Sequence, residues 1–155
     1  MLTVACTCDH EMKESETDLP YPAAELVPHR PPVFFLKEIL ERQGDAALVS
    51  GVVPGISLFS FNNNQNILME LTVEIIAQAM AAINGYDALQ GGSPAKRGFL
   101  VGLDQFSFPS VLLPDQLFTV SLDKVIEFGG VTIMNGILQQ DQIVAQGVLK
   151  VWEGD

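Results

Sequence analysis

Residues 72–84 read TVEIIAQAMAAIN, and this stretch constrains the fold more than any other. Ala, Ile and Met dominate it, a composition that favours helix. Apolar residues fall on almost every side of that helix, so most of its surface has to be covered. Gly85 fits its C-terminal stop. A polar line runs through Glu70, Glu74 and Gln78 at intervals of four. By spacing alone this is a solvated stripe, with Glu70 in the first turn, where a carboxylate suits the helix dipole.

The cover has to come from strands. Residues 33–40, VFFLKEIL, suit a strand or a short helix. Residues 45–54, DAALVSGVVP, alternate loosely after a Gly44-Asp45 turn and predict a strand. Residues 57–66 form a loop, because Asn62, Asn63 and Asn64 oppose both helix and strand interiors. Beyond the helix, Gly91-Gly92-Ser93-Pro94 is a flexible connection, and strands are predicted at 98–108, 116–128, 131–140 and 143–152. The clearest is 116–128, where Leu117, Thr119, Ser121 and Asp123 alternate with Phe118, Val120, Leu122 and Lys124. Gly129-Gly130 and Asp141-Gln142 are hairpin turns. The order predicts an α+β domain in which a curved antiparallel sheet wraps one long central helix, the hotdog fold.

The chain has 155 residues, which suits one domain with a real core, and no internal repeat is visible. Prolines at 20, 22, 28, 31 and 32 break up the approach to the first strand, with room for one helical turn at Ala23 to Val27. We expect a flexible leader over residues 1–18 and a single domain over 19–155. The leader carries Cys6, Cys8 and His10, a C-x-C-x-H pattern. A closed zinc site needs four ligands and no other cysteine exists, so a plain leader is expected and no metal.

The formal net charge is −11. A surface this acidic is repelled by nucleic acid and by anionic membranes. No run is long enough to span a bilayer, and the N-terminus lacks the basic start and apolar stretch of a secretory signal. A soluble cytoplasmic protein is expected. The local concentrations of basic residues are Lys96-Arg97 and His29-Arg30.

Three blocks carry a resemblance. LVPHRPPVFFLKEIL at 26–40, EIIAQAMAA at 74–82 and KRGFLVGLDQFSFPSVLLPDQL at 96–117 resemble, in order and spacing, the β-hydroxyacyl-ACP dehydratase family. The likeness is strongest to the divergent hotdog branch associated with aryl-polyene biosynthesis. Asp115 stands at the family's Pro-Gly-Asp turn, in place of its Asp or of the neighbouring Gly. The resemblance implies a hotdog dimer and a tunnel between subunits that admits a phosphopantetheine arm. The substrate carries that arm, on acyl carrier protein or coenzyme A, and no separate cofactor is implied.

In that family a histidine removes the α-proton and an acid on the central helix, kept protonated by burial, protonates the departing β-hydroxyl. Glu74 matches the helix acid, and Gln78 matches the glutamine that orients it. Gly98, Phe99 and Gly102 match the strand that lines the substrate. Met69 stands at the family's glycine whose N–H holds the thioester oxygen, with Leu68 at its proline. Lys96 and Arg97 are a candidate docking point for an acidic carrier, and His29 and Arg30 match a structural Pro-His-Arg. The family's catalytic histidine is missing: fourteen residues before Glu74 stands Ser60, and a serine is no base without a base of its own.

Three functions follow from the resemblance. One is a 3-hydroxyacyl-ACP dehydratase whose Glu74 completes a site with a histidine from a second hotdog subunit. Another is a thioesterase in which Glu74 activates water or attacks directly. The third is a non-catalytic subunit of a dehydratase heterodimer.

Overall fold

The computed structural model describes residues 18–55, 60–61 and 66–154. The cysteines, His10 and Asn62 to Asn64 lie outside the described residues. The approach segment forms a short strand β1 (Tyr21–Pro22) and one 3-10 turn, Ala23–Glu25. Next come β2 (Leu36–Gln43) and β3 (Ala46–Val52), then β4 (Ser60–Phe61) and β5 (Asn66–Ile67). The helix α1 (Met69–Gln90) leads to β6 (Arg97–Ser107), β7 (Leu117–Phe128), β8 (Val131–Gln139) and β9 (Ile143–Gly154).

Seven strands form one antiparallel sheet in the order β1-β2-β3-β7-β8-β9-β6. The alternation read in residues 116–128 is real. Phe118, Val120 and Leu122 are buried, while Leu117, Ser121 and Asp123 are exposed. Against that inner face lies α1, with Ile75, Ile76, Ala79, Met80 and Ile83 buried. Gly136 on β8 makes the close approach possible, since a Cβ there would stand 2.5 Å from Ile76 Cγ2. This is the hotdog arrangement expected from an all-round apolar helix among strands.

Two local expectations are corrected. The helix does not stop at Gly85 but runs to Gln90. Gly85 is a packing glycine: a Cβ there would lie 2.6 Å from the Leu26 carbonyl oxygen. The stop is the Gly91-Gly92 pair, with Gly91 N–H donating to Asp87 O and Gly92 at φ +63°. The supposed loop 57–66 contains a small ladder, Ser60 opposite Ile67 and Phe61 opposite Asn66.

Among the described residues, β6 ends the sheet, with β9 as its one neighbour. Phe99, Leu100, Val101 and Leu103 along it are about half exposed. Among the described residues, no helix is long and apolar enough to cross a membrane.

Candidate functional site

The site is built where the second to fourth turns of α1 meet the proline-rich segment 26–35. Leu26 is brought down onto the helix by the missing side chain of Gly85. Arg30 then fastens the loop to itself, its Nη1 donating to Val27 O at 2.8 Å and His29 O at 2.7 Å. Farther along, Val33 O accepts the Gln78 side-chain amide at 2.7 Å. The loop is thus tied to the helix on both sides of His29.

Gln78 is 1% exposed. The same Nε2 that reaches Val33 donates to Glu74 Oε1 at 2.8 Å. Two acceptors converge on that nitrogen, which fixes the orientation of the amide. Glu74 and Gln78 stand one turn apart on the helix, the spacing at which side chains meet. Imidazole Nε2 of His29 faces the same Oε1 at 3.7 Å, and His29 Nδ1 is buried with no hydrogen-bond partner among the described residues.

Glu74 lines two hollows. One is a cleft of about 650 Å³ that runs past His29, Gln78 and Met80 to Lys96, Arg97 and Phe99 at the start of β6. The other, about 430 Å³, is walled by Val33, Phe35, Leu68 and Leu71. Expected burial of the carboxyl is not met by the single chain, in which 49% of the Glu74 side chain is exposed. Its position on the ridge between two clefts is the reason.

Other expected site residues are divided. Lys96, Arg97, Gly98 and Phe99 join Glu74 and Gln78 around the larger cleft. Met69 does not line either hollow; it sits at the helix start, 55% exposed, behind a Leu68 N-cap that supplies no side-chain cap. Gly102 pairs with Lys150 across the sheet and lies away from both hollows. Val33, Phe35 and Leu68 wall the smaller hollow, and the sequence does not mark them, because an apolar side chain carries no sign of which cavity it faces.

A different recess lies near the C-terminal half of the helix, rich in charge. Arg42 donates from Nε and Nη2 to both oxygens of Asp87, at 2.8 and 2.7 Å, and that hydrogen bonding raises the guanidinium pKa. Lys124 donates to Glu127 at 2.9 Å, which raises the lysine and lowers the carboxyl. These ions are already matched to each other.

Residues 21–155 match the ApeP-like family, described as ApeP dehydratase. The chain belongs to that family. No curated protein matches it. Among solved structures, the dehydratase heterocomplex ApeI:P from Xenorhabdus doucetiae is similar at 13% identity. It aligns over 86% of this chain and 91% of that one, with a TM-score of 0.75. A hypothetical thioesterase from Streptococcus pneumoniae TIGR4, solved with coenzyme A, is similar at 14% identity, over 76% and 84%, with a TM-score of 0.56. The smu.793 protein from Streptococcus mutans UA159, bound to acetyl CoA, is similar at 10% identity, over 83% and 95%, with a TM-score of 0.60. At these identities the structural likeness speaks for the hotdog fold, and the family match speaks for a dehydratase-like protein.

Proposed function

We propose that this protein dehydrates 3-hydroxyacyl thioesters held on an acyl carrier protein, in cytoplasmic fatty-acid or polyene-type biosynthesis, with Glu74 as the general acid. The carrying observation is the Glu74 carboxyl, held by Gln78 at the ridge where two hollows meet. In this reading the walls of Val33, Phe35, Leu68 and Leu71 receive the acyl chain. The larger cleft receives the phosphopantetheine arm, and Lys96 and Arg97 at its rim receive the phosphate or the acidic carrier. A chain of net charge −11 needs such cations to meet an acidic partner.

A base takes the α-proton, and the C–H electron pair becomes the α,β double bond. The Cβ–O bond breaks, and the oxygen leaves as water with a proton from Glu74. A histidine of a second hotdog subunit supplies the base. Two features support a second subunit: the apolar terminal strand β6, and the likeness to one structure that is itself a dehydratase heterocomplex. The second subunit also covers Glu74, which one chain leaves half exposed.

The test is the rate of enoyl-ACP formation by this protein alone and with a histidine-bearing hotdog subunit. The expected result is slow turnover alone, restored turnover with the second subunit, and a loss of at least about 100-fold on Glu74→Gln, the scale of acid catalysis. Full activity of the single protein contradicts the shared site. An active Glu74→Gln complex contradicts the acid.

One observation favours thioester hydrolysis as a second reading. The exposed half of Glu74 admits the water that a carboxylate would activate. Release of free thiol from acyl-CoA or acyl-ACP, lost in Glu74→Ala, is its signature.

A further inference from the structure

We infer that His29 is a positioning residue for Glu74, and that its Nε2 bears a proton directed at the carboxyl. This deepens the reading of Glu74 as the reacting acid and rests on it. The two side chains are 45 residues apart in sequence but share one cleft. Nε2 faces Glu74 Oε1 at 3.7 Å, just outside hydrogen-bond distance. Both side chains are partly exposed, so a small rotation of either closes the gap. Catalytic hydrogen bonds commonly tighten in this way when substrate binds.

The other ring nitrogen, Nδ1, is buried and finds no hydrogen-bond partner among the described residues. Nδ1 is unsatisfied in either tautomer, so Nε2 separates them: a proton on Nδ1 would leave an Nε2 lone pair facing a carboxyl oxygen. With the proton on Nε2, the ring instead aims a donor at a carboxyl oxygen.

Glu74 Oε1 then has two donors, Gln78 Nε2–H on the helix and His29 Nε2–H on the loop. In the protonated acid that this reading requires, the oxygen accepting both donors is the carbonyl oxygen, since the hydroxyl oxygen keeps its proton to give away. The geometry therefore assigns Oε1 as the fixed oxygen and Oε2 as the atom that carries the proton to the departing hydroxyl. Gln78 alone would fix Oε1 at one point and leave the carboxyl free to turn about that contact. His29 holds the same oxygen from a second direction, across the cleft from the helix. The loop ties at Arg30 and Gln78 hold the imidazole in place. Second-layer donors of this kind set the orientation of a reacting group without touching substrate.

The first experiment needs no turnover. Nitrogen NMR of the histidine-labelled full chain at pH 8 reads which nitrogen bears the proton. His10 is the other histidine, and His29→Gln identifies the His29 signals by removing them. A His29 ring protonated at Nε2, with ring shifts that move in Glu74→Ala, is the expected result. A proton on Nδ1 instead, or shifts indifferent to Glu74→Ala, overturns the inference.

The second experiment uses the active complex. His29→Leu is expected to lower kcat about tenfold, the worth of one hydrogen bond to a reacting carboxyl, with KM nearly unchanged. His29→Gln restores a donor at the same reach and is expected to recover most of the rate. The double variant His29→Leu/Glu74→Ala should be no slower than Glu74→Ala alone. Equal damage by Leu and Gln, with normal melting temperatures, overturns the positioning role. Should NMR show the Nε2 proton answering to Glu74 while no complex dehydrates, the pairing stands and the dehydratase reading falls.

Discussion

Gln78 shows how much one buried amide can organise. It is almost fully enclosed, donates twice from one nitrogen, and leaves its own Oε1 buried with no hydrogen-bond partner among the described residues. A buried polar atom without a partner is costly, so stability alone would favour an apolar side chain here. The two bonds it makes join the carboxyl at 74 to the loop at 33. Gln78→Met keeps the volume and removes both bonds. We expect it to lose about 1–2 kcal/mol of stability, since the orphaned Val33 carbonyl offsets the relief at Oε1. Urea unfolding at unchanged m-value measures this. Asp115 is a second economical residue. It takes the left-handed backbone of the turn, φ 57°, and its Oδ1 accepts the Gly55 N–H at 2.8 Å.

Among the elements, α1 is placed by two close approaches. Gly136 admits it to the sheet, and Gly85 admits the loop of His29 to it. Gly85→Ala improves helix propensity by about 1 kcal/mol. The new Cβ would nevertheless meet a backbone oxygen at 2.6 Å, and that oxygen cannot swing aside. We expect a net loss of about 1–2 kcal/mol by thermal or urea melting, against the propensity. The strand β7 carries its own device. Between Lys124 and Ile126 its pairing with β8 slips by one residue. A bulge of this kind reverses which face the following side chains occupy, and so Lys124 and Glu127, three apart in a strand, meet at 2.9 Å. The hydrogen bond lowers the Glu127 pKa. A lowered carboxyl contributes stability above its ordinary titration range and loses it as pH falls through the folded value. Melts of wild type and Glu127→Gln should therefore differ slightly at pH 7 and converge below about pH 4.

The molecule as a whole is a sheet with one unfinished side. Aliphatic and aromatic side chains along β6 are half exposed on a strand that has one neighbour among the described residues. Such an edge is a template for pairing, and here it borders the cleft that holds Glu74. In the proposed pairing, Val101→Lys with Leu103→Lys should abolish co-sedimentation with a second hotdog subunit, while melting remains cooperative. Wild-type assembly by that double variant would place the interface elsewhere. Some of this was legible in the residues. A helix apolar on nearly all sides and the alternation of β7 are local periodicities, and each specifies which faces must be buried wherever the element lies. The Glu74–Gln78 pair follows from the helical period itself. Other features arise from contacts across long loops, and no local pattern encodes them. The true helix end was obscured because a glycine that permits close packing looks the same in sequence as one that stops a helix. The meeting of His29 with Glu74 depends on how five prolines route a segment over Gly85. The open edge of β6 depends on strand order, and strand order is set when the whole sheet closes around the helix.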